Sequence, residues 1–103
     1  MRTATLFSLG LLISAGVFGQ SAITGSCQNG GTYPNCVGGE IVFRGTNYTG
    51  QVHVTVTNSS GKVIDDGDYT TDGGNLAFTE NLSFADTYTI SINQKVALTV
   101  TTT

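Results

Sequence analysis

Between Gln51 and Thr57, Val52, Val54 and Val56 alternate strictly with His53, Thr55 and Thr57. Successive side chains of an extended strand point to opposite faces, so the valines share a buried face while His53 and the threonines share an outer one. The same period recurs along the chain. Ile41 and Phe43 share a face of residues 40–44, Leu76 and Phe78 a face of 75–80, and Tyr88, Ile90 and Ile92 a face of 87–93. Val96, Leu98 and Val100 do so in the last segment, and short stretches around Val63 and Tyr69 supply two more. The breaks are turn-formers: Asn58-Ser59-Ser60-Gly61, Asp65-Asp66-Gly67-Asp68 and Asp72-Gly73-Gly74-Asn75. Strands with one apolar face each need a second sheet to cover it. The pattern therefore predicts an all-β fold, a small antiparallel β-sandwich of about six to seven strands.

Ahead of this region, Arg2 precedes an apolar run from Ala4 to Val17, which is the layout of a secretory signal peptide. The run is shorter than the roughly 20 residues a membrane span needs, so no permanent span is expected. Val17 and Gly19 suit cleavage after residue 19, with cleavage after Ala22 the alternative. Residues 20–103 then form one domain, a disulfide-closed N-terminal loop at 20–39 with room for one strand, followed by the sandwich at 40–103. Cys27 and Cys36, the two cysteines of the chain, read as a disulfide in an oxidising compartment. A metal site would need further ligands, and none is expected. Thr101 to Thr103 reads as a frayed strand end.

Seven acids stand against four bases, and one of those bases, Arg2, is in the leader. That balance disfavours nucleic acid and anionic membrane as partners. Asn47, Asn58 and Asn81 each head an Asn-X-Ser/Thr sequon and are glycosylation candidates. Tyr33, Tyr48 and Tyr69 fall in or beside loops, where amphipathic rings either bind sugars and proteins or cap the ends of a core. His53, the single histidine, has no nucleophile beside it and reads as a solvated cross-strand residue. Asp65, Asp66, Asp68 and Asp72 crowd one region without the spacing of a calcium loop. A glycosidase needs two carboxylates flanking a cleft, and the acids here read as turn residues. No catalytic residue or cofactor is expected.

From residue 50 to 92 the order of segments is Gly50-Gln51-Val52-His53-Val54, Tyr69-Thr70-Thr71-Asp72, Gly74-Asn75-Leu76-Ala77-Phe78 and Asp86-Thr87-Tyr88-Thr89-Ile90. It resembles the prealbumin-like sandwiches, including the collagen-adhesin B-type repeats, and the resemblance implies architecture only. The isopeptide chemistry of such repeats is not implied: the first strand offers Arg44 where they carry a lysine, and the last strand has no asparagine. A second resemblance, carried by Cys36-Val37-Gly38-Gly39-Glu40-Ile41-Val42-Phe43 with the signal peptide and the early disulfide, is to small secreted fungal effectors of the ToxB-like class. It implies recognition of a host protein without catalysis. The expected function is that of a secreted non-enzymatic interaction protein, an effector-like virulence protein binding a host or cell-surface macromolecule. The alternative is a carbohydrate- or cell-wall-binding module.

Overall fold

The computed structural model describes residues 20–103, and the signal peptide expected at 1–19 lies outside them. Among the described residues nine strands run in chain order: β1 (Ala22–Cys27), β2 (Gly31–Thr32), β3 (Asn35–Cys36), β4 (Gly39–Thr46), β5 (Gln51–Thr57), β6 (Val63–Thr70), β7 (Asn75–Leu82), β8 (Thr87–Ile92) and β9 (Lys95–Thr102). They form a six-stranded sheet in the order β2-β3-β9-β8-β5-β6 and a three-stranded sheet in the order β1-β4-β7. All pairings are antiparallel except the short parallel ladder of β9 with β3. No helix among the described residues is long and apolar enough to cross a membrane.

The expected valine face is buried: Val52, Val54 and Val56 pack with Ile41, Phe43, Leu76, Phe78, Ile90 and Val100 in one core between the sheets. Two expected turns hold. Asn58 Oδ1 accepts the amides of Ser60 and Lys62, closing the β5–β6 hairpin. Gly73 and Gly74 both take positive φ, as a tight turn requires, and Asp72 and Asn75 exchange both backbone hydrogen bonds around it.

Other expectations are corrected. Residues 65–68 are not a turn, because β6 runs unbroken from Val63 to Thr70 along β5. The two stretches read as separate strands are thus one. The charged run Asp65-Asp66-Gly67-Asp68 in its middle suits its place at the sheet edge, where charges discourage further strand pairing. Val96 does not join the core and is 69% exposed. A bulge between Val96 and Leu98 pairs Val96 with Ser91 on the outer face and returns Leu98 to the phase of Ile90. Thr102 is no frayed end: it is buried, and its Oγ1 donates to the Phe84 carbonyl at 2.6 Å.

The segment 20–39 carries three strands rather than one. Backbone pairing to β4 holds β1 despite its polar composition, and Cys27, at its end, is bridged to Cys36 on β3 of the other sheet, with the α-carbons 5.4 Å apart. The disulfide staples the two sheets. Closing this loop stabilises by roughly 2 to 3 kcal/mol in the chain-entropy model, about what one fully buried core side chain contributes.

Gly25 marks a second tie between segment and core. Its register partner is Phe43, and a β-carbon added to it would lie 2.5 Å from Tyr33 Cε1 and 3.0 Å from Phe43 Cε1. Gly25→Ala is therefore expected to cost about 1 to 3 kcal/mol through overpacking, and Cys27→Ser with Cys36→Ser a similar amount. Urea denaturation checks both, and a midpoint unchanged by either substitution would refute the corresponding account.

Candidate functional site

β6 and β7 each hydrogen-bond a strand on one side only, and their free edges lie along the same flank of the sandwich. The inward residues of this flank follow from register. Asp65, Gly67 and Tyr69 stand opposite Val56, Val54 and Val52, so they face inward. On β7 the inward row is Leu76, Phe78, Glu80 and Leu82. Tyr69 meets Phe78 with ring centroids 5.2 Å apart, and Phe78 stacks on Phe43 at 5.1 Å. Further along the flank the same two rows bring Asp65 to Glu80.

Glu80 is 4% exposed, and its Oε2 is buried without a hydrogen-bond partner among the described residues. Burial, reinforced by the hydrogen bond to Asp65 and then by that group's charge, pushes its carboxyl up to about 8. At neutral pH Glu80 holds its proton and donates it in the bond to Asp65. The expectation that the acids occupy turns is corrected here: Glu80 lies mid-strand in the phase of Leu76 and Phe78.

These two side chains line a groove of about 500 Å³ whose walls include Ile64, Phe84, Asp86 and Tyr88. Phe84, in the β7–β8 loop, is 83% exposed. Its loop is nonetheless fixed, because the Phe84 carbonyl accepts the Tyr88 hydroxyl at 2.8 Å and that of Thr102 at 2.6 Å. Asp86 is held below the usual carboxylate range, chiefly by a hydrogen bond from Ser59 and then by the Thr87 amide.

The other sequence candidates do not converge on this groove. Tyr69 plugs the same flank from inside, and Tyr33 lies on the far side against Gly25 and Phe43. Tyr48 covers Gly45 at one end of the sandwich, beside a larger hollow of about 1090 Å³ that Asn47, Asn93 and Gln94 also line. All three tyrosines are half-buried against the core, and burial raises the hydroxyl pKa of each. Asn47 and Asn81 are exposed, and Asn58 is half-buried in the β5–β6 turn.

The four aspartates part company too. Asp66 and Asp68 face outward, where they grip His53: its Nδ1 lies 2.7 Å from Asp68 Oδ1 and its Nε2 pairs with Asp66. The imidazole pKa is raised, first by the hydrogen bond to Asp68 and further by the charge of Asp66. Among the described residues no group of three or more His, Cys, Asp or Glu side chains is placed to hold a metal ion. No protein family, curated protein or solved structure matches the chain.

The Glu80 and Asp65 carboxyls are hydrogen-bonded to each other. Glycosidase carboxyls stand about 5 Å or more apart to admit a sugar. The pair is suited to receiving a charge, because it offers acceptor oxygens without a cation beside them.

Glu80 and His53 both have folded pKa values above their unfolded ones, so each binds more protons in the native state and stability falls with rising pH. The Glu80 contribution is complete below its ordinary value near 4.5 and lost as pH climbs towards about 8. That of His53 is present below 6.5 and lost as pH passes its raised value. Thermal melts across this range should show wild-type Tm declining with pH, and Glu80→Gln should flatten most of the decline. A slope unchanged by that substitution would remove Glu80 as its source.

Proposed function

We propose that this protein is secreted and acts by binding an extracellular protein, without catalysis, through the groove between β6 and β7. The observation that carries the reading is Phe84, a large apolar side chain held in solvent by a loop with two buried anchors. An exposed ring on a fixed loop beside an open groove has the form of an interface anchor, since its ordering cost is already met in the free protein. The disulfide agrees with an extracellular compartment, and the leader-like sequence at 1–19 provides the route. Effector-like recognition of a host protein is one form of this activity, tested by whether expression rises when the producing organism meets a host.

A second reading, glycan binding, is favoured by the hollow beside Tyr48, where an aromatic ring stands among the amides of Asn47, Asn93 and Gln94. Two measurements separate the readings. Immobilised wild-type protein should capture an extracellular protein by cross-linking, and Phe84→Ser should lose it. Retention on insoluble glucan, chitin or cellulose that Tyr48→Ala abolishes, with no effect of Phe84→Ser on any protein capture, would overturn the first reading in favour of the second.

A further inference from the structure

We propose that the groove takes a lysine or arginine side chain from an extended segment of the partner protein, its cationic head against Glu80 and Asp65 and its aliphatic stem along Phe84. The inference rests on the protein-binding reading above and names the chemistry of the occupant. Three observations carry it.

The first is Glu80 Oε2, an acceptor more than nine-tenths buried that no donor among the described residues satisfies. Leaving such an atom unpaired is costly, more so when it is charged. The second is charge. Asp65, Glu80 and Asp86 line the groove, and no lysine or arginine does. Among the described residues neither Lys62, Lys95 nor Arg44 comes within ion-pair distance of these carboxylates. The third is shape, because Ile64 and Phe84 offer exposed apolar surface at the rim. Lysine and arginine lay apolar stems on such surface while the head seeks a carboxylate, and a ring face attracts the cation as well. An extended segment suits the site because the free edges of β6 and β7 flank it and can pair with a further strand.

Binding the cation expels the proton of Glu80. Asp65 and Tyr69 on β6 act on Glu80 directly, Asp86 and Tyr88 line the same groove, and among the described residues no cation does. Affinity therefore rises with pH until Glu80 ionises unaided near pH 8.

NMR titration of the intact disulfide-bonded protein with N-acetyl-lysine methylamide and N-acetyl-arginine methylamide tests this, with the norleucine and glutamine analogues as controls. The cationic probes should shift the amides of Asp65, Glu80 and Phe84, more strongly at higher pH, and the controls should bind at least about tenfold more weakly. Glu80→Gln, which keeps a hydrogen-bonding group of the same size, should reduce cation affinity by about tenfold. Phe84→Ala, at a solvent-exposed position, should reduce it about threefold. Equal affinity for norleucine, undiminished binding by Glu80→Gln, shifts confined to the Tyr48 end, or no shift with any probe would each overturn the proposal. So would a dimer that Glu80→Gln dissociates, since the occupant would then be a second copy of this chain. If a captured partner is lost with Phe84→Ser and kept with Glu80→Gln, the protein-binding reading stands and this inference falls. If both variants keep the partner, the groove is not the interface.

Discussion

Four rings, Tyr33, Phe43, Phe78 and Tyr69, run in a row across the inner face of the three-stranded sheet, and the sealing of the sandwich depends on them. Phe43 and Phe78 are register partners on β4 and β7 and stack at the centre. Tyr33 and Tyr69 come from the other sheet and close the two open flanks. Three strands cannot cover a sheet of six, so water would reach the core along both sides without side chains long enough to span the gap. Tyrosine suits that position because its ring buries while its hydroxyl reaches solvent. Gly25 permits the arrangement, since any larger residue would meet Tyr33 and Phe43 at once.

The row of rings stops short of the β7–β8 end, and the groove begins there. Along β6 and β7 the inward positions continue in step from Tyr69 beside Phe78 to Asp65 beside Glu80. Where the flank near Tyr33 gains a disulfide, this one gains two carboxyls and an exposed phenylalanine. The two flanks thus differ: Cys27, Ile41 and Glu80 lie level across the three-stranded sheet, yet on one flank the disulfide and Tyr33 hold the sheets together, and on the other the Glu80 groove is left open at a cost in stability.

Much of the architecture was legible because period two is a strong signal wherever one face is buried. β5 matches its expected bounds, Gln51 to Thr57, and the turns at 58–61 and 72–75 carry the glycines and side-chain caps that their geometry demands. β6 was legible least. An edge strand paired on one side needs no apolar face, and Asp65-Asp66-Gly67-Asp68 has the composition of a turn while Gly67 adopts no positive φ. Misreading it hid the site, because inward Asp65 and outward His53–Asp68 exist only if β6 is continuous. Glu80 could have been found, since it lies two residues beyond Phe78 in an unbroken alternation, where a carboxylate in a core phase is the anomaly. The bulge after Val96 left no mark in the sequence, and it alone moved Val96 from core to solvent. Phe84 gave no sign of its exposure either, because the bonds to its carbonyl that hold the loop backbone come from Tyr88 and Thr102, distant in pattern from it.

An inward-pointing charge on an edge strand has an ordinary explanation, protection against pairing with other chains. Asp65 alone would serve that end, as the outward aspartates gripping His53 already do on the same strand. Glu80 exceeds it. A second carboxyl, buried deeply enough to keep its proton at neutral pH and left with one oxygen unpartnered, adds a desolvation penalty and no further protection. Leucine or glutamine would fit the alternation of β7 at lower cost. On the binding proposed above, the penalty is recovered when a donor enters from outside, and Phe84 lines the same groove as Glu80. On that proposal, guarding an edge and admitting one kind of strand are the same device, with the charge of the incoming side chain deciding between refusal and pairing.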